Sequence, residues 1–134
     1  ISWLSNTIIG IVPVARDKAG TGVDVLEPVR AALKAGDIVL IFPEGTRGDG
    51  EEMAQLKSGV ARLAADVPEA PVYPIWLQGA GRVLPKGEAL PVPMNCTVLV
   101  GDPLHWQGDR QAFLDELRGR LEELKAKAPP QRWA

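Results

Sequence analysis

Runs of apolar residues alternate with amphipathic segments along the chain, a pattern that predicts strands separated by helices. Residues 8–14 are rich in β-branched side chains and are predicted to form a strand. Residues 38–42 are five consecutive apolar residues, typical of an interior strand covered on both faces. Residues 70–79 and 95–104 are predicted as two more strands, with an edge or a bulge at Pro74.

Three segments have helical periodicity, and the first covers residues 24–35. Asp24 and Glu27 are spaced for a capping box, but Pro28 prefers the first turn of a helix and favours a start at Glu27. Gly36 is well placed to end this helix.

The second helix is predicted at residues 56–66 and the third at residues 109–127, where Asp109 is expected to be the N-cap. Glu116 and Arg120 are spaced for an ion pair on one face of the third helix. Its predicted apolar stripe consists of Leu114, Leu117, Leu121, Leu124 and Ala128.

Strands that alternate with helices predict an α/β domain with a largely parallel central sheet and flanking helices. A length of 134 residues fits a single domain, residues 1–134. Ligands of such sheets bind beyond the carboxyl ends of the strands. Arg16 follows the first predicted strand, and the segment 44–47 follows the second.

Composition narrows the possible partners. The net charge of −2 gives no general positive field for nucleic acid, so no nucleic-acid partner is expected. The single cysteine, Cys96, excludes an internal disulfide, and its apolar neighbours predict a buried thiol. One histidine, one cysteine and scattered carboxylates show no metal-ligand spacing, so no metal is expected. No resident cofactor is expected either.

The loop IFPEGTRGDG at residues 41–50 combines a carboxylate, glycines, a hydroxyl and a guanidinium. The forked donors of Arg16 and Arg47 match the oxygens of a phosphate. Gly45 allows backbone amides to approach a ligand closely, and Lys57, near a predicted helix start, adds positive charge. The sequence therefore predicts an anion site, most simply for a phosphate-bearing small molecule.

A purely structural interpretation of this loop stays open. Glu44 and Arg47 have opposite charges and are close enough in sequence to pair with each other or to cap the loop. Short motifs also match by chance, so these residues alone do not decide between the two interpretations.

FPEGTR at residues 42–47 resembles the third motif of the glycerolipid acyltransferase family, which includes lysophosphatidate and glycerol-3-phosphate acyltransferases. The resemblance covers nearly the whole chain, and its parts come in the family's order. Four more segments are similar to family patterns: GIVPVAR at 10–16, LKSGVARLA at 56–64, VYPIWLQG at 72–79 and VLVGDPL at 98–104. The chain departs from the pattern at Ala15, Gly48 and Leu56, the last standing where the family has an aromatic residue.

The resemblance implies transfer of a fatty acyl group from a thioester of coenzyme A or acyl carrier protein to the hydroxyl of a glycerol phosphate lipid such as lysophosphatidate, in phospholipid biosynthesis. The resemblance also implies that the protein acts at the cytoplasmic face of a membrane. It would be peripheral, or anchored through N-terminal sequence missing here. The implied roles are acceptor-phosphate binding by Arg16 and Arg47, positioning of the acceptor or the arginines by Glu44, loop shaping by Gly45 and Thr46, and formation of the acyl-donor side by Pro74.

The family's first motif, a histidine and an aspartate separated by four residues, is missing. In the family this histidine is the general base that takes the proton of the acceptor hydroxyl. His105, the single histidine, precedes Asp109 with three intervening residues and lies near the C-terminus, so it is predicted to be a surface or turn residue. The base is expected upstream of Ile1, which predicts a partial domain that is inactive alone.

Two other functions remain open. The chain would be a pseudoenzyme if it binds a lysophospholipid or an acyl thioester without converting it. Apart from the resemblance, an α/β domain with an anion-binding loop would also suit a soluble phosphorylated metabolite.

Overall fold

The computed structural model describes residues 24–45, 53–79 and 96–130. The predicted strand at 8–14 lies outside these ranges. Contacts divide the chain into two units, residues 1–41 and residues 42–134. The described residues form helices α1 (Glu27–Lys34), α2 (Gly59–Asp66) and α3 (Arg110–Lys127), and strands β1 (Ile75–Gln78) and β2 (Thr97–Val100).

Helix α1, in the first unit, begins at Glu27, as Pro28 in its first turn predicts. The predicted capping box does not form. The Asp24 carboxylate instead accepts a hydrogen bond from the Leu26 amide, at 3.1 Å. Asp24 also pairs with Arg30 across the first turn, at 2.8 Å. The helix start is therefore stabilised by a local turn and by ion pairs of Arg30 with Asp24 and Glu27.

Residues 38–42 do not form the predicted strand. Gly36 ends α1 with a φ of 90°, as expected, and the chain then continues without regular structure. Ile38, Leu40 and Phe42 are 101%, 69% and 65% exposed. A strand exists only when a neighbour satisfies its backbone groups, and no strand within the described ranges pairs with this segment.

The second unit contains a two-stranded sheet in which β1 and β2 are antiparallel. Ile75 lies opposite Val100, and an isolated bridge between Val72 and Leu104 extends the pairing. The predicted largely parallel central sheet is not seen within the described residues, whose two strands are antiparallel. Parallel neighbours need a crossover, usually a helix, whereas the sequence between β1 and β2 is rich in proline and glycine.

Pro74 interrupts the regular pairing between the Val72 bridge and the start of β1, as predicted. Its side chain is fully buried, and its carbonyl accepts a hydrogen bond from the Gly101 amide at 2.9 Å. A Cβ atom on Gly101 would lie only 2.9 Å from Cγ of Pro74. The close approach of these two residues explains why glycine follows β2.

Helices α2 and α3 share the main hydrophobic core of the second unit. Asp109 is the N-cap of α3, as predicted, and accepts hydrogen bonds from the amides of Gln111 at 2.8 Å and Ala112 at 3.3 Å. The predicted pair of Glu116 and Arg120 is present at 3.6 Å. The core cluster contains Leu56, Val60, Ala61, Ala64, Leu104, Phe113, Leu117 and Leu121.

The apolar stripe of α3 differs from the prediction at its first position. Phe113 is buried, whereas Leu114 is only partly buried. The rings of Phe113 and Trp106 are 5.9 Å apart, so the segment before the helix supplies a partner for the aromatic ring. Leu117, Leu121 and Leu124 are buried as predicted, whereas Ala128 is the C-cap residue and is only partly buried.

One face of the sheet is apolar and exposed. It consists of Ile75, Leu77, Val98 and Val100, which are 36–60% exposed. Alternation along the strand places Cys96 on the side of Val98 and Val100, and Cys96 is exposed. The prediction of a buried thiol is therefore wrong, because the apolar neighbours of Cys96 do not themselves lie in the core.

Candidate functional site

The first part of the predicted loop is a tight turn from Phe42 to Gly45. The Gly45 amide donates a hydrogen bond to the Phe42 carbonyl at 3.1 Å. Gly45 has a φ of 67°, in the left-handed region that strongly favours glycine. A conformational requirement therefore accounts for the glycine of the FPEGTR hexapeptide.

Lys57 lies directly against this turn. Its amide donates a hydrogen bond to the Pro43 carbonyl at 2.7 Å. A Cβ atom on Gly45 would lie 3.3 Å from Cγ of Lys57 and 3.8 Å from its Cε. The aliphatic stem of Lys57 thus passes beside the turn, which brings together residues twelve positions apart in sequence.

The position of Lys57 follows from its neighbours. Leu56 and Val60 belong to the buried core, whereas Lys57 is exposed. Lys57 immediately precedes Ser58, the N-cap residue of α2, and the Ser58 side chain makes no capping hydrogen bond. An ammonium group at an uncapped helix start is a favourable environment for an anion.

Glu44 is partly buried and faces the chain before α2. Its Oε2 atom accepts a hydrogen bond from the Ala54 amide at 3.4 Å. The sequence left open whether Glu44 pairs with Arg47 or caps the loop. Within the described residues Glu44 contacts a backbone amide, and its pairing with Arg47, which lies outside them, stays a prediction. Sequence reasoning missed Ala54, because a partner that acts through its amide leaves no side-chain signal.

The predicted site residues are only partly brought together. Glu44, Gly45 and Lys57 form one cluster, and Pro74 lies instead in the sheet against Gly101. The remaining predicted site residues lie outside the described ranges and stay predictions: Arg16, Thr46 and Arg47.

His105 is exposed, as the sequence predicts, and lies in the segment before α3. The described part of the second unit also has an open depression of about 370 Å³, lined mainly by α2 and the turn before α3. Its lining includes Arg62, Trp106 and Arg110 but no residue of the predicted site. The depression and the Glu44–Lys57 cluster are therefore separate features.

Within residues 24–45, 53–79 and 96–130, no group of three or more histidine, cysteine, aspartate or glutamate side chains is arranged to bind a metal ion. None of the helices in the same ranges has the length and apolar character needed to cross a membrane.

The comparisons with known proteins agree on one family. The family model described as Acyltransferase matches residues 1–78. The chain is 34% identical over 125 residues to a chloroplastic 1-acyl-sn-glycerol-3-phosphate acyltransferase of Arabidopsis thaliana, covering 92% of this chain and 34% of the relative. No solved structure matches the chain.

Bacterial and animal relatives have the same description. A 1-acyl-sn-glycerol-3-phosphate acyltransferase of Pseudomonas aeruginosa is 37% identical over 90 residues, covering 67% of this chain and 34% of the relative. The alpha form from Mus musculus is 30% identical over 122 residues, covering 87% of this chain and 41% of the relative. The chain thus spans between about a third and two fifths of the length of these relatives.

Proposed function

Because the chain belongs to the acyltransferase family, we propose that it is part of an enzyme that transfers a fatty acyl group from a thioester to the hydroxyl of lysophosphatidate. The relatives cited above are named 1-acyl-sn-glycerol-3-phosphate acyltransferases, and they match between 67% and 92% of this chain. Their common description supports a glycerol phosphate lipid as the acceptor.

The observation that best supports an acceptor-phosphate site is the contact between the FPEGTR turn and Lys57. It places an ammonium group and the start of α2 beside the turn that leads into Arg47. In our proposal Arg16, Arg47 and Lys57 bind the phosphate, because forked guanidinium donors and a helix start both complement its charge. Gly45 and Thr46 shape the loop, and Pro74 supports the acyl-donor side.

We propose that this chain binds the acceptor without turning it over. Attack of a hydroxyl on a thioester needs a base that removes the proton. His105, the single histidine, is exposed in the segment before α3, whereas the described hydrogen bonds of the Glu44–Lys57 cluster join Glu44 to Ala54 and Lys57 to Pro43. The second candidate function is a binding module without catalysis, and the same residues would serve it.

The proposed donor is acyl-coenzyme A or acyl-acyl carrier protein, with no resident cofactor. Because the acceptor is a lipid, we place the reaction at the cytoplasmic face of a membrane, with the protein peripheral or anchored by sequence outside this chain. The exposed apolar residues at 38–42 support a fold in which this segment joins a largely parallel sheet once a neighbouring strand is present.

A displacement assay tests the proposal. A fluorescent lysophosphatidate is bound to the purified chain below its micellar concentration and displaced by unlabelled compounds. We expect lysophosphatidate to displace the probe at concentrations at least ~10-fold lower than monoacylglycerol, which lacks the phosphate and so loses about 1.4 kcal/mol or more.

Two other outcomes would redirect the assignment. Displacement by sugar phosphates as effective as by lysophosphatidate would contradict a lipid acceptor and favour a soluble phosphorylated metabolite. Release of coenzyme A from acyl-coenzyme A in proportion to the amount of pure chain would show that the chain has its own base, and would direct attention to His105.

A further inference from the structure

The open depression beside α2 is lined by small residues and one large aromatic residue. On the side of α2 the lining includes Ala61 and Ala65, which lie one turn apart on the same face of the helix. On the side of the segment before α3 it includes Trp106 and Gly108. Because alanine and glycine leave room beside the indole, a space of about 370 Å³ stays open, within the range of small-molecule sites.

The indole of Trp106 is held by the core. It packs against the hydrophobic cluster, and its ring centre lies 5.9 Å from that of Phe113. Trp106 is nevertheless only partly buried, and the same side chain lines the depression. An aromatic ring that is fixed by packing and open on one side is suited to stacking against a planar ring of a ligand.

The charges of the lining favour an anion. They are the guanidinium groups of Arg62 and Arg110 and the carboxylate of Asp66. Arg110 is exposed, and among the ion pairs of the described residues none involves it. A guanidinium group can donate two parallel hydrogen bonds to the oxygens of a phosphate. An aromatic surface next to such a group matches a planar base that carries phosphate.

We propose that this depression binds a nucleotide, with Trp106 stacking on the base and Arg110 binding the phosphate. The position of the depression relates it to the candidate acceptor site. Lys57 lies beside the start of α2, and the depression lies along the later part of the same helix. From Ser58, the N-cap residue, to Ala65 the helix rises about 10 Å.

This separation suits coenzyme A, in which a long flexible arm joins an adenine nucleotide to the thiol. With the nucleotide in the depression, the arm is long enough to bring a thioester to an acceptor held beside Lys57. We therefore identify the nucleotide as that of the acyl-coenzyme A donor. This identification rests on the proposed function, whereas the nucleotide site itself rests on the depression.

Calorimetric titration of the purified chain with coenzyme A, ADP, inorganic diphosphate and pantetheine tests the site. Coenzyme A and ADP should both bind, because they share the base and the diphosphate. Inorganic diphosphate lacks the base and should bind at least ~5-fold more weakly than ADP, since it cannot stack on an aromatic ring. Pantetheine lacks both groups and should bind at least ~10-fold more weakly than ADP.

Two variants locate the binding. Arg110→Gln should raise the Kd for ADP at least ~5-fold, because the phosphate loses its charged donor. Arg118→Gln is the matched control, since it removes the same charge from an exposed position of α3 outside the depression, and it should change the Kd less than about twofold. Ala65→Gln extends a longer side chain from an exposed position of α2 that lines the depression, and should raise the Kd at least ~10-fold. Urea unfolding shows whether each variant is folded.

The inference is overturned if neither coenzyme A nor ADP binds, or if inorganic diphosphate binds as tightly as ADP. It is also overturned if folded Arg110→Gln and Ala65→Gln bind ADP as tightly as Arg118→Gln does.

The same titrations distinguish this inference from the proposed function. If lysophosphatidate binds the chain but coenzyme A and ADP do not, the inference fails and the proposed function stands, with acyl carrier protein as a donor whose arm carries no nucleotide. If ADP binds and Ala65→Gln abolishes this binding, but lysophosphatidate does not bind, the nucleotide site is supported and the proposed function fails.

Discussion

Gly45 and Gly101 each lie next to a side chain that limits substitution, but for different reasons. Gly101 has Pro74 at 2.9 Å and Leu124 at 3.3 Å from the position of a Cβ atom. Gly45 has a positive φ, and the flexible stem of Lys57 lies beside it. Substitution of Gly101 would therefore disturb packing of the sheet, and substitution of Gly45 would disturb the candidate site.

We predict that Gly101→Ala destabilises the second unit by about 1–3 kcal/mol, because the methyl group meets the ring of a fully buried proline. Urea unfolding measures this change. Gly119→Ala is the matched control, since Gly119 lies within α3 with no atom near an added Cβ and should gain about 0.5–1 kcal/mol. Equal effects of the two substitutions would contradict the packing described at Gly101.

We predict that Gly45→Ala weakens lysophosphatidate binding, because it strains the turn and displaces Lys57. Gly36→Ala has a comparable backbone cost of about 1–2 kcal/mol, since Gly36 also has a positive φ, but its added Cβ meets no atom within 4 Å. Titration of both variants with lysophosphatidate distinguishes them. A similar loss of affinity in both would mean that the turn at Gly45 has no special part in binding.

Among the elements, α3 is the clearest example of agreement between sequence and structure, because its cap, ion pair and most of its stripe depend on local spacing. We predict that Asp109→Ala costs about 0.5–2 kcal/mol, since the first-turn amides lose their acceptor. Glu122→Ala, at an exposed position in the same helix, should stay within about 0.5 kcal/mol. Thermal unfolding measures the stability of the two variants. Equal unfolding midpoints would contradict the capping role of Asp109.

The burial of Phe113 gives a second prediction for α3. Phe113→Ala should cost about 3–5 kcal/mol, because it leaves a cavity between α3 and Trp106. Leu114→Ala should cost clearly less, since Leu114 is only partly buried. Urea unfolding measures the loss of stability in each variant. A larger loss in Leu114→Ala than in Phe113→Ala would support the apolar stripe predicted from sequence.

The features that sequence did not predict depend on partners distant along the chain. Five apolar residues at 38–42 indicate burial, but burial needs a neighbouring strand, and spacing within the segment does not provide one. The antiparallel direction of β2 had a signal in the sequence, because the proline- and glycine-rich segment between β1 and β2 predicts a loop rather than a crossover helix. In the site, Gly45 was predictable from its motif, whereas the Glu44–Ala54 contact was not, because any residue at position 54 presents an amide.

At the scale of the whole molecule, the chain matches the acyltransferase family but spans only about a third to two fifths of the relatives' length. Within the described residues, the Glu44–Lys57 cluster combines an ammonium group with a carboxylate that accepts a backbone hydrogen bond, and it contains no histidine. In the proposed function, this chain therefore binds the acceptor, and a group outside the chain removes the proton.

A segment exchange tests the central claim most directly. The 125 matching residues of the Arabidopsis thaliana relative are replaced by the corresponding residues of this chain, and lysophosphatidate-dependent release of coenzyme A from acyl-coenzyme A is measured. The account predicts that the chimera releases coenzyme A and that Arg47→Ala in the same chimera abolishes the release. A chimera that unfolds cooperatively but releases none, or that is indifferent to Arg47→Ala, would contradict the assignment of an acceptor-phosphate site to this chain.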